Sequence, residues 1–428
     1  MSKTYGFETL SIHAGAGPDP ATGARALPIY QTTAYAFDDA DHAAALFNLQ
    51  TVGFIYSRLT NPTNAALETR LATLEGGRGC TVTSSGHAAQ VLALFPLMTP
   101  GDEIVASSRL YGGSLQQMRN TYPKFGWKAN IVDADTPDNF RRAVNDRTKA
   151  FFIESLANPG GVISDVEAIA KIADDAGVPL VVDNTLATPW LCKPIDYGAT
   201  LVIHSTTKFL SGTGTSMGGA VVDSGKFDWA KGGKFPSLAG PEPAYHGLNF
   251  FETFGDMAYT FHSHAVGLRD LGPSQAPMNS WLTMLGMETL GLRMERHCAN
   301  AQKVAEWLEK HPAVAWVNYA GLPSNKYHAL AKKYLPKGAG SIFTFGVRGG
   351  YEVGMKVVDS VDLFSHLANI GDAKSLIIHP ASTTHRQLSD EQRVAAGAGP
   401  DVIRLSIGIE TVEDIIADLE QALAKATS

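Results

Sequence analysis

Short apolar, β-branched runs alternate with stretches of helical spacing through the first half of the chain. Runs at 80–83, 103–106, 130–133, 150–154, 180–182 and 201–203 read as strands, several of them buried on both faces. Helices are expected from the turn at 84–89 to about Met98, after Tyr111-Gly112-Gly113, after Thr136 and over 165–176. Strands and helices in that alternation imply a mostly parallel sheet with right-handed crossovers. Ahead of them, Asn61 is a helix N-cap candidate with Pro62 at the first helical position. Leu67, Leu71 and Leu74 give that helix its spacing, and Gly76-Gly77 ends it.

The two ends of the chain behave differently. Residues 1–60 lack a clear period apart from one short helix over 38–47, and prolines and glycines punctuate them. A long, loosely patterned opening segment in a compact protein is often functional, and this one could wrap a partner subunit. Residues 224–275 are rich in Gly, Pro and aromatics with few strand signals. One or two helices are expected over 276–310, a strand over 339–345, a helix over 353–369, a strand over 403–407 and a closing helix over 412–424. The expected organisation is an arm over 1–60, a large domain over 61–270 and a smaller α/β domain over 271–428.

Composition narrows the function. At 428 residues, with 44% hydrophobic and 18% charged residues, the chain has ample core. A net charge of −7 argues against nucleic acid as the main partner, and no apolar run reaches membrane-spanning length. Cys80, Cys192 and Cys298 form neither a metal spacing nor a disulfide framework, which fits a cytoplasmic protein. Met1–Thr9 lacks the basic–apolar–small pattern of a secretory signal. His262 and His264 have no third ligand in view, so no metal site is expected. The glycines of 212–219 precede a strand instead of following one, which excludes a dinucleotide loop.

The candidate chemistry stands at strand ends. The run 180–182 leads into Asp183-Asn184-Thr185, and 201–203 into His204-Ser205-Thr206-Thr207-Lys208. In an open α/β sheet, ligands bind beyond the carboxyl ends of the strands. Asp183 and Lys208 could be an ordinary surface ion pair. They are also what pyridoxal phosphate requires: an amine for a Schiff base, and an acid that keeps the pyridine nitrogen protonated. Ser205 and Thr207 could face a phosphate together, and Ser85-Gly86-His87 opens a helix whose first amides could do the same. Tyr111 could stack on a flat cofactor or fill a core. Asn158 could bond a phenolic oxygen or make an Asx turn. Arg404, inside an apolar strand, needs a partner, either a substrate carboxylate or an Asp or Glu.

Taken together, Tyr56-Ser57-Arg58, Ser85-Gly86, Tyr111-Gly112-Gly113, Asn158-Pro159, Val182-Asp183-Asn184-Thr185, His204 to Lys208, Lys374-Ser375-Leu376 with His379-Pro380, and Arg404-Leu405-Ser406 make the chain resemble the Cys/Met-metabolism family of pyridoxal-phosphate enzymes. The likeness runs nearly end to end. It implies the aspartate-aminotransferase-like fold, fold type I. It implies Lys208 as Schiff-base lysine and proton shuttle, Asp183 on the pyridine nitrogen, and Tyr111 on the ring. The amides of Gly86 and His87, with Ser205 and Thr207, would take the phosphate, and Asn158 the phenolic oxygen. Tyr56 and Arg58 would reach a neighbouring subunit's phosphate; Arg404 and Ser375, with Asn158 and Tyr56, would hold the substrate. Residues 31–37, 271–277 and 370–380 are most similar to O-acetylhomoserine sulfhydrylases. That implies O-acetyl-L-homoserine and sulfide, or a thiol, as reactants, and a homotetramer built as a dimer of dimers. The alternatives are a methionine or cystathionine γ-lyase, or a sulfhydrylase of O-succinylhomoserine or O-acetylserine. His87 stands where a Met is common in the family, and Lys374 where cystathionine-processing members carry Glu; a like charge there would disfavour cystathionine.

Overall fold

A computed structural model describes residues 5–158, 161–384, 386, 391, 393 and 397–428. Pro159 lies outside them. Its centre is a seven-stranded sheet: β1 (Gly79–Thr83), β2 (Glu103–Ser107), β3 (Lys128–Val132), β4 (Thr148–Glu154), β5 (Leu180–Asp183), β6 (Leu201–His204) and β7 (Gly219–Asp223). The strand order is β1-β7-β6-β5-β4-β2-β3. The strands β2 to β6 pair in parallel, whereas β7 runs antiparallel to both β1 and β6. Side chains alternate across a strand, so each apolar run feeds two cores. Phe151, Ile153, Val182 and Val202 join one, and Phe152, Val181, Leu201 and Ile203 the other. That double burial explains why these strands read as unbroken apolar runs.

Four helices precede or flank this sheet early in the chain: α1 (Phe7–His13), α2 (Ala40–Phe47), α3 (Pro62–Glu75) and α4 (Gly86–Leu94). The Asn61 side chain accepts from the amides of Thr63 and Asn64, and Gly76 closes α3 at φ 76°. Helix α1 was not expected. What holds it is tertiary: the wholly buried Arg70 of α3 donates to the carbonyls of Ile12 and Ala14 at its C-terminal end, and to Met284 O.

A second sheet comprises β8 (Val314–Asn318), β9 (Ile342–Val347), β10 (Ser365–His366), β11 (Leu376–Ile378) and β12 (Val402–Ser406), in the order β8-β9-β12-β11-β10. The helices Pro277–Glu288 and Leu290–Lys310 lead into it. The helix expected over 353–369 is shorter and earlier, Gly350–Ser360. Beyond Val361, which is extended, the Asp418 carboxylate accepts from the amides of Asp362, Leu363 and Phe364. These bonds give the backbone an alternative to another helical turn. No helix among the described residues is long and apolar enough to cross a membrane.

Candidate active site

The carboxyl ends of β4, β5 and β6 open on a cavity of about 290 Å³. Nine residues singled out from the sequence line it: Gly86, His87, Tyr111, Asn158, Asp183, Ser205, Thr207, Lys208 and Arg404. Arg404 comes from β12 and donates to Asn158 Oδ1 (3.4 Å), so the second sheet supplies one wall.

At the N-terminus of α4, the Ser85 side chain accepts from the Ala88 amide, and the amides of Gly86 and His87 belong to the first turn, where no intrahelical acceptor exists. A Cβ at Gly86 would stand 2.7 Å from Ser205 Cβ, so only glycine lets this helix start come so close to the turn after β6. Ser205 is fixed through its amide, which donates to Thr185 Oγ1 (2.8 Å). The Thr207 hydroxyl donates to Gly218 O and accepts from Gly218 N, so it is already engaged by the backbone that leads into β7.

The Lys208 ammonium donates to Asn369 Oδ1 (2.6 Å). Burial and then the nearby Arg404 charge lower its pKa, which favours the neutral amine. Burial likewise brings the Arg404 guanidinium down to about 10. Its Nη2 reaches the Asn369 carbonyl (3.1 Å), and its buried Nε has no hydrogen-bond partner among the described residues. A buried donor without a partner marks a place where an acceptor belongs. Gln90 Oε1, also in the cavity wall, is a buried acceptor in the same condition. Burial raises the Asp183 carboxyl, while the Thr185 hydrogen bonds, the His204 charge and Gln90 oppose the rise. The Tyr111 ring lies 5.9 Å from that of His87 at an interplanar angle of 50°.

Three expected residues stand elsewhere. Ser375 is buried with its hydroxyl on Glu410 Oε2 (2.9 Å) while accepting from Gly408 N, and the same loop presents Ala368, Asn369 and Ile370 to the cavity in its place. Tyr56 and Arg58 stand on the arm, outside this cavity; Tyr56 is 41% exposed and the Arg58 guanidinium lies 5.4 Å from its ring centre. Lys374 is exposed and does not line the cavity of its own chain, so the like charge expected there is not supplied within one subunit.

The chain matches the family model described as Cys/Met metabolism PLP-dependent enzyme over residues 8–424. It belongs to that family. An amine, an acid and the first amides of a helix in one cavity fit pyridoxal phosphate, the cofactor of that family. Among relatives, an O-acetyl-L-homoserine sulfhydrylase of Leptospira meyeri is 51% identical, covering 99% of this chain and 98% of its own. A homocysteine synthase of Schizosaccharomyces pombe is 50% identical, covering 98% of each. A solved chain of Campylobacter jejuni, assigned as an O-acetylhomoserine (thiol)-lyase and carrying a pyridoxyl-lysine monophosphate, superposes with a TM-score of 0.95 at 43% identity, over 98% of this chain and 100% of that one.

Residues of the cavity that were given no role from the sequence are Asn369, Gln90, Thr185 and Glu154. Glu154 carried a readable signal, a lone carboxylate closing an apolar strand, which is the signal that singled out Asp183. Asn369 carried none, because it is a loop residue brought in by the second sheet.

Proposed function

We propose that this enzyme converts O-acetyl-L-homoserine and sulfide to L-homocysteine and acetate, the Cγ–O bond breaking and a Cγ–S bond forming. The observation that carries the reading is a buried guanidinium, Arg404, whose Nε has no partner among the described residues, in the same cavity as Lys208 and Asp183. The names of the full-length relatives support the substrate pair. When bound, pyridoxal phosphate supplies an electron sink that makes the Cα proton removable.

The chain's own residues do the rest. Arg404 binds the substrate carboxylate through its fork, aided by Asn158. Lys208, favoured as a neutral amine, takes the Cα proton and shuttles protons at Cβ. Asp183 holds the ring nitrogen protonated, and Tyr111 covers the ring and helps to move protons. The Gly86 and His87 amides and the Ser205 hydroxyl take the phosphate; Thr207 adds to them by turning its hydroxyl from Gly218 O. Asn369, and not the Ser375 hydroxyl, faces the cavity from its loop, where it orients Lys208.

We further propose a homotetramer of dimers in which Tyr56 and Arg58 complete a neighbour's site. Exposed apolar side chains on the arm support it: Phe37, Phe47, Val52 and Phe54. We propose the same division into arm, large and small domains, with boundaries at residues 60 and 270. A cytoplasmic location is supported by three buried, unpaired cysteines. The test is a product assay with O-acetyl-L-homoserine, with and without sulfide. Homocysteine formed only with sulfide, and faster than from the O-succinyl ester or O-acetylserine, is the expected result. Ammonia and 2-oxobutanoate at equal rates either way would mean a γ-lyase.

A further inference from the structure

Among the described residues, Glu154 is the one carboxyl lining the cavity that the reaction above leaves without a task. It ends β4, is 3% exposed, and is the register partner of Asp183 on β5. Register partners on adjacent strands project from the same face, so the two carboxyls stand side by side on the cavity floor. Each Glu154 oxygen accepts one backbone amide. Oε1 takes Tyr111 N (2.6 Å) and Oε2 takes Asn158 N (3.1 Å). Those amides belong to the two residues assigned to the ring's face and to its phenolic oxygen. Tyr111 follows β2 and Asn158 follows the short ladder at 156–157; neither is otherwise held by a regular strand.

We infer that Glu154 is a positioning residue of the cofactor site: it ties the loops of Tyr111 and Asn158 to the strand beside Asp183, and so sets how both side chains meet the ring. The inference rests on the reading of Lys208 and Asp183 as the cofactor site. The arrangement is not one that folding alone would favour. Burial and the neighbouring Asp183 carboxylate both push the Glu154 acid well above its usual range, whereas the two amides only partly offset this. An apolar or amide side chain would avoid that cost, so the carboxyl is there for two acceptors at once, which Gln cannot provide. Its oxygen can accept one amide, but its NH2 group faces the other donor to donor.

The test uses the full chain loaded with pyridoxal phosphate, comparing wild type, Glu154→Gln and Glu154→Ala. The first readout is the visible circular dichroism of the bound cofactor, which follows ring orientation and not turnover. The expected result is a band that weakens from wild type to Gln to Ala, with cofactor still taken up. A kcat lowered about 10- to 100-fold, with KM for O-acetyl-L-homoserine changed by less than about threefold, should accompany it. A wild-type band and kcat in Glu154→Ala would overturn the inference and leave the cofactor site standing. The inference fails equally if only the melting temperature of the cofactor-free protein falls. Should Ala fail to fold, the isosteric Gln variant decides on the same readouts. A wild-type chain that takes up no pyridoxal phosphate would overturn the underlying reading as well.

Discussion

Replacing Asn369 by Ala removes one contact and spares another. The side-chain Oδ1 accepts from Lys208 Nζ at 2.6 Å, whereas Arg404 Nη2 reaches the backbone carbonyl of the same residue. Alanine keeps the carbonyl, so the guanidinium proposed to bind the substrate carboxylate keeps its wall. The lost bond is charge-assisted and half-buried, a class worth roughly 1.5–3 kcal/mol. If it orients the lysine in the proton-transfer steps, kcat should fall about 10- to 150-fold. KM for O-acetyl-L-homoserine should stay within about threefold, since ground-state binding is untouched. Steady-state homocysteine formation with saturating sulfide measures both. The companion variant, Asn369→Asp, sets a carboxylate beside Lys208. An opposite charge favours the ammonium, so Lys208 would need a higher pH to become a base, and the rising limb of the pH–rate curve should move up. Asn369→Ala with kcat within about twofold of wild type would refute the reasoning. A rise in KM of about tenfold at unchanged kcat would also refute it, placing Asn369 on the substrate instead.

Three further outcomes are expected. Asn61→Ala removes the cap of α3 and the donor that Asn61 Nδ2 offers to Tyr30 O, Tyr35 Oη and Ser57 Oγ. It should cost about 1–2 kcal/mol in a melting experiment and loosen the arm to protease. Gly86→Ala brings a Cβ to 2.7 Å from Ser205 Cβ, so the helix start must back away; equilibrium dialysis should show weaker uptake of pyridoxal phosphate with little change in melting temperature. Burial tends to raise the Asp418 carboxyl, but the amides of Asp362, Leu363 and Phe364 outweigh it and leave the group below its ordinary value. Its contribution to stability is therefore present above the unfolded carboxylate range and lost as pH falls through the folded value. Melting temperature followed from pH 7 downward should fall less in Asp418→Asn than in wild type.

Why some of this could be read from the sequence, and some could not, follows from where each residue gets its information. The strands β4, β5 and β6 are buried on both faces, so their composition alone declares them, and whatever polar residue ends them is delivered to the sheet's carboxyl edge. Asp183 and Lys208 were visible for that reason. The N-cap at Asn61 and the αL glycine at 76 are local backbone chemistry and were equally plain. Helix α1 was not, because its carbonyls are satisfied by Arg70, 57 residues beyond its last residue. The overextended helix at 353–369 failed in the same way: its apolar spacing continues, but a carboxylate from the closing helix captures three amides first.

The loop at 368–375 shows where motif and geometry separate. A resemblance reads the serine of Ser375-Leu376 as a ligand residue because it is the recognisable part of the motif. In the fold that serine is the loop's anchor, locked between Glu410 and Gly408, with Gly371 N held by Ser406 Oγ (3.0 Å) further back. Anchoring at both points fixes the segment between the second sheet and the cavity, so that Asn369 and Ile370, two residues with no pattern of their own, face Lys208 and Arg404. Substituting Ser375 should therefore act through Asn369. Ser375→Ala is expected to reproduce a milder form of the Asn369→Ala defect in kcat, and the double variant should fall short of the product of the two single effects, as coupled residues do. Full multiplication of the two effects would mean that Ser375 works independently of Asn369.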